Sequence, residues 1–187
     1  MRVTLIILGI CFLFSSCRRF EQEKVVARAE PFVPSNLYPT ERLPVYLNRV
    51  AVLPCYYSDP DSPLLDYVDI VFQRELAQER IFETIPISTS LMKKLFGAHR
   101  VSSSNRLPEN FLKTLEEETD ANAVLFVDLD SYRPYRPVSL SVRAKLVDIN
   151  SGEFHWAIDE TFDAGHAGVI IGSKIFQDSS QVRALSE

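Results

Sequence analysis

The sequence predicts an α/β (α+β) fold, a mixed β-sheet with helices packed on it, in the order β-α-β-α-α-β-β-β-α. Three observations carry this reading. The stretch "ANAVLFVDLD" (121–130) is apolar on both parities, as in a strand covered on both faces. After "SDPDSP", apolar residues recur at three- and four-residue spacing, the mark of a core-facing helix. Late in the chain, "VSLSVRAKLVDI" and "EFHWAIDETF" alternate on either side of "NSG", which reads as a hairpin with one wet face.

In order along the chain, "RVAVLP" (49–54) is a short buried strand. The loop "CYYSDPDSP" leads into a helix over about 64 to 79. Asp61 or Ser62 can cap it, and Pro63 fits its first turn because the missing N–H would be unpaired there. Leu65, Val68, Phe72 and Leu76 form its stripe, with Asp66, Asp69 and Gln73 off it. "FETIPIS" is a second strand, which Pro86 confines to an edge or a strand end. "STSLMKKLFG" is a short helix ending at Gly97, a residue suited to a left-handed cap. "AHRVSSSNR" is loop. A further helix starts near Pro108, with Phe111, Leu112 and Leu115 inward and Glu116 to Glu118 outward.

In the hairpin, Val138, Leu140, Val142, Ala144 and Leu146 share one face, and Ser139, Ser141, Arg143 and Lys145 the other. Gly152 can take the positive φ that the turn needs. On the return strand Phe154, Trp156 and Ile158 point inward, and His155 lies on the wet face near Arg143 or Lys145. "AGVIIGSKIF" is a short apolar helix candidate before a polar tail.

The chain has 187 residues, 46% hydrophobic and 24% charged, enough for one domain with a real core. Its formal net charge of −5 gives no global attraction to nucleic acid. Residues 1–16 read as a signal peptide: Arg2 supplies positive charge, Thr4 to Phe14 an apolar core, and Ser15 and Ser16 the small residues before a cut. The apolar run is too short for a conventional span. An ordinary signal peptide cut nearby and an uncleaved anchor stay open as alternatives.

Residues 17–47 carry prolines at 31, 34, 39 and 44 and read as a tether, on which Phe32, Val33, Leu37 and Tyr38 could dock. Residues 48–187 form the single globular domain. Three cysteines, Cys11, Cys17 and Cys55, lack the paired spacing of a zinc site. If the first is removed and the second modified, one thiol remains.

"LFSSC" (13–17) resembles a bacterial lipobox, with Phe14 a departure from the usual aliphatic residue. The resemblance implies cleavage between Ser16 and Cys17 and a lipid on Cys17. Arg18 in place of Asp then points, in a host with two membranes, to the outer membrane. The run "RVAVLP", "IFETIPIS", "LEEETDANAVLFVDLDSY" and "LSVRAKLVDINSGEFHWAIDETFDAG" is similar to the envelope domains of the TolB N-terminal, LpoB and CsgG-core type, over about residues 48–176. That resemblance implies no catalytic residues and no cofactor. It implies contacts with other envelope proteins, in assembly, wall-synthase regulation or secretion. A subunit of an oligomeric secretion assembly is the alternative, so homo-oligomers stay open.

Among residues that could carry chemistry, Cys55 would need a base to make thiolate, and His99, His155 and His166 are distant in sequence. An exported enzyme using Cys55 is therefore the weaker alternative. Asp59, Asp61 and Asp66 lack the glycine and distal glutamate of a calcium loop. "GVIIGSK" lacks the phosphate-loop spacing. The candidate partner-binding residues are Tyr132, Arg133, Tyr135 and Arg136 of "SYRPYRPVS", because Tyr and Arg dominate interface hot spots and proline lowers the ordering cost.

Overall fold

The computed structural model describes residues 32–38 and 42–173. They divide into two compact units. The larger holds 34–134 and 139–162; the described part of the smaller holds 32–33, 135–138 and 163–173.

The larger unit is an α+β domain. Its strands are β1 (Leu37–Tyr38), β2 (Arg49–Val52), β3 (Tyr56–Tyr57), β4 (Glu83–Pro86), β5 (Ala123–Arg133), β6 (Ser139–Asp148) and β7 (Phe154–Asp163). Its helices are α1 (Leu64–Glu79), α2 (Thr89–Phe96) and α3 (Phe111–Thr119). The sheet runs β1-β7-β6-β5-β2-β4, with β3 also paired to β5. β2 is parallel to β4 and to β5, β5 is antiparallel to β6, and β1 is antiparallel to β7. The predicted order is present, with two-residue strands β1 and β3 added.

Each element forms for a local reason. Ser88 Oγ accepts the Leu91 N–H at 3.1 Å at the start of α2, and Gly97 ends it at φ 73°. Gly152 takes φ 73° in the β6–β7 turn. Pro86 closes β4, an edge strand, where its missing donor costs no interior ladder bond. The start of α1 differs from the expectation. Pro63 itself is the boundary residue and no side chain caps it; Ser62 Oγ only reaches the Leu64 N–H at 3.4 Å.

β5 separates two cores, as its double apolar parity requires. On one face Leu125, Val127 and Leu129 join Val50, Val52, Ala144 and Leu146 under Leu65, Val68, Phe72 and Leu76 of α1. On the other, Val124 and Phe126 join Ala51 and Leu53 under Met92 of α2 and Phe111 and Leu115 of α3. Trp156 and Ile158 pack on the first core as expected, but Phe154 is 56% exposed because it stands at the open end of β7.

In the smaller unit, the Ala164 N–H donates to the Val138 carbonyl at 2.8 Å, and the Phe32 and His166 rings meet edge-on at 5.4 Å. Residues 167–173 are helical, as "AGVIIGSKIF" predicted for this part. Among the described residues, no helix is long and apolar enough to cross a membrane.

Candidate functional site

Four regions of the larger unit hold the side chains that bear on function. The first surrounds Cys55, in the loop after β2. Its thiol is buried, and burial pushes it well above the usual thiol range, with the charge of Asp69 adding to the effect. Asp69 accepts the Cys55 N–H at 2.8 Å and pairs with the Arg100 guanidinium at 2.7 Å. Arg100 also donates to the Cys55 carbonyl. These charges tie the 98–106 loop to α1 and to the end of β2. They do not activate the sulfur, because an anionic neighbour disfavours thiolate. Asp69 thus faces a partner within the fold, where the helical pattern alone placed it outward.

The second region is the buried carboxylate of Asp128, 1% exposed on β5. It accepts the Ser102 hydroxyl at 3.0 Å, the Ser103 hydroxyl at 2.8 Å and the Ser103 N–H at 3.0 Å. Ser102 and Ser103 of "VSSSN" therefore form part of a built anchor. A sequence reading finds only loop there, since nothing local shows which strand the serines meet.

The third region is the polar face of β6 and β7. Arg143 donates to Asp159 at 2.9 Å and to Asp130 at 2.8 Å, and Ser141 bridges Ser131 and Thr161. His155 meets Asp148 at 3.4 Å, not Arg143 or Lys145 as the alternation suggested. Asp148 also accepts the Tyr46 hydroxyl at 2.7 Å and the N–H groups of Asn150 and Ser151. Burial alone would raise this carboxyl. The bonds from Ser151, Tyr46, His155 and Asn150 outweigh it and hold the group down at about 2. At the end of this face an open hollow of about 670 Å³ is lined by Tyr38, Lys145, Glu153, Phe154 and Ala157. Lys145 Nζ stands 5.8 Å from the Phe154 ring centroid, and Tyr38 is 61% exposed.

The fourth region is a cleft of about 520 Å³ between α1 and the sheet. Val68, Phe72 and Leu76 form its roof, and apolar residues of β5, β6 and β7, Trp156 among them, form its floor. Leu43 and Ile81 also line it.

Of the sequence-selected binding residues, Tyr132 and Arg133 end β5 and are exposed. Tyr135 and Arg136 lie in the β5–β6 connection and are exposed in their own right. Ser16 and Cys17 lie outside the described residues. Among the described residues, no group of three or more His, Cys, Asp or Glu is placed to hold a metal.

No family model and no curated protein sequence matches this chain. Solved structures do resemble it. Lipoprotein GNA1162 from Neisseria meningitidis is 17% identical with a TM-score of 0.49, over 71% of this chain and 99% of that one. A PelC dodecamer from Paraburkholderia phytofirmans is 13% identical with a TM-score of 0.47, over 73% and 91%. The LpoB C-terminal domain from Escherichia coli is 13% identical with a TM-score of 0.43, over 62% and 82%.

Proposed function

We propose that this chain is an envelope lipoprotein, cut between Ser16 and Cys17 and lipidated on Cys17, whose α/β domain is a binding module for other envelope proteins and not an enzyme. The observation that carries the binding role is the hollow edged by Tyr38, Phe154 and Lys145. Exposed aromatic rings beside a cation are what interface anchors are made of, and a shallow open wall suits a protein surface better than a small substrate. Tyr132 and Arg133, exposed at the end of β5, are further candidates, as are Tyr135 and Arg136. The outer membrane, facing the periplasm, is the proposed location. Acyl chains on Cys17, at about 0.8 kcal/mol for each buried CH₂, would hold the protein there.

A photocrosslinking residue at Phe154, with one at Glu117 on α3 as control, tests the binding role in cells. A specific envelope protein captured from position 154 and not from 117 supports it; no capture above background from 154 contradicts it. Labelled palmitate incorporation, lost in Cys17→Ala, tests the anchor separately.

A further inference from the structure

Three parallel strands lie side by side in the order β5-β2-β4. After β2 the chain crosses through α1, on the face of Val50 and Val52. After β4 it leaves through α2, on the face of Ala51 and Leu53. Two neighbouring strands thus send their connections to opposite faces, and a crevice opens between them outside their carboxyl ends. In sheets with helices on both faces, that is where ligands bind.

A cavity of about 450 Å³ lies at this crevice, within the range of roughly 300–1,000 Å³ that small-molecule sites occupy. Tyr56, Tyr57 and Asp61 line it from the β2–α1 connection, Thr89 from the start of α2, and His99 and Arg100 from the loop after α2. On the polar face of β6 and β7 the charged side chains satisfy one another, as Arg143 does with Asp130 and Asp159. Around this cavity they do not. The hydroxyls of Tyr56 and Tyr57 and the carboxylate of Asp61 make no hydrogen bond among the described residues. Arg100 is held in place through Nη1 alone, which pairs with Asp69 at 2.7 Å and donates to the Cys55 carbonyl at 2.6 Å. Its Nε and Nη2 donate to no described residue and are not sealed from solvent.

The wall therefore offers a fixed donor fork, an acceptor and aromatic rings, but no excess of positive charge. Asp69 already neutralises Arg100, and Asp61 stands on the same wall. A phosphate finds no spare cation there, and a ligand carboxylate at Arg100 would meet the like charge of Asp69. The complementary ligand is uncharged, accepts from the guanidinium, donates to the carboxylate and lays an apolar side on a ring. A sugar does all of this: each hydroxyl both donates and accepts, and the C–H groups of its face meet the negative face of an aromatic ring. Tyr57 also packs against the α1-side core, which leaves Tyr56 as the platform.

We infer that the crevice at the ends of β2 and β4 binds a neutral saccharide unit of a glycan, with Arg100 donating to one hydroxyl, Asp61 accepting from another and Tyr56 beneath the ring. The site shares no lining residue with the protein-binding hollow of Tyr38, Lys145 and Phe154.

The test applies the fluorescently labelled full chain to a printed array of neutral and N-acetylated oligosaccharides. The best-bound member is then titrated in solution by saturation-transfer difference NMR. Binding of an array member is expected. Asp61→Ala changes an exposed side chain with no bond inside the fold, and it should weaken that binding roughly ten-fold, as for a lost hydrogen bond to a charged group. Tyr56→Ala should weaken it as well, with far-ultraviolet circular dichroism unchanged; should that variant fail to fold, Asp61→Ala carries the test alone.

No array member bound above background overturns the inference. So does binding that Asp61→Ala leaves intact, because the sugar would then sit elsewhere on the molecule. Displacement of the bound sugar by glycylglycine also overturns it, since the crevice would then be a site for a zwitterion. Crosslinking from Phe154 has a separate readout, so either proposal can fail alone.

Discussion

On one face of the sheet, α2 and α3 set Met92, Phe111 and Leu115 against Val124 and Phe126, and each of these is buried. On the other, α1 sets Leu65, Val68 and Phe72 against the sheet, and a cleft remains between it and β5, β6 and β7. The difference follows from widths. A helix is about 10 Å across and strands lie about 4.8 Å apart, so one helix covers roughly two strands. Beyond the cover of α2 and α3, the second face turns polar, with Ser141 bonded to Thr161, and Arg143 to Asp130 and Asp159. Beyond the cover of α1, the first face stays apolar, through Leu140, Val142 and Trp156. A polar end needs no cover. The apolar end keeps an open cleft, and the polar end carries the hollow of Tyr38, Lys145 and Phe154.

The largest effects should come from the closed face. Leu115→Ala leaves a hole that α3 and β5 cannot collapse into, and should cost about 2–5 kcal/mol by denaturant unfolding. Leu140→Ala at the cleft wall should cost clearly less, since its side chain is only partly buried. A comparable loss from both would erase the contrast between the faces.

Next in size is Asp128→Ala. It removes the acceptor for three donors of Ser102 and Ser103 and should cost roughly 1–3 kcal/mol. Hydrogen exchange in the 98–106 loop should rise with it. Unchanged protection there would show that the serines are not anchored by this carboxylate.

Acid should act through Asp148. Its folded value of about 2 lies below its ordinary 3.8, so the folded state binds its proton less readily than the unfolded chain does. The contribution is complete above that ordinary value and fades as pH falls from about 4 toward 2. Asp148→Asn should flatten this part of the stability profile; a wild-type slope in the variant would assign the loss to other groups.

Much of this architecture can be read from the sequence, and the reasons are local. β5 shows two apolar parities because it is buried on both sides, and α1 shows its stripe because one side meets the sheet. Gly97 and Gly152 stand where positive φ is needed. What local pattern cannot show is long-range pairing. Leu37–Tyr38 become a strand only because β7 offers an edge. Asp69 reads as lying off the apolar stripe, and nothing local gives Asp128 a partner, until the loop of Arg100, Ser102 and Ser103 reaches them. The hollow at Tyr38 and Phe154 joins residues more than a hundred positions apart, so no motif announces it. Tyr132 and Arg133, chosen by residue type, are indeed exposed, and residue type can go no further than that.

The smallest stability effect expected is that of Tyr132→Ala, within about 0.5 kcal/mol, as for other surface changes. A larger loss in thermal unfolding would make the ring a packing element and not a free contact.

The contrast between the faces is tested most directly by adding the same volume to each. Ala51, fully buried in the closed core, and Ala144, on the cleft floor, can both be changed to leucine and compared by denaturant unfolding. Ala51→Leu should overpack its site and lose about 1–3 kcal/mol, whereas Ala144→Leu should grow into open space and lose less than about 1 kcal/mol. Equal losses at the two positions would contradict an open cleft beneath α1.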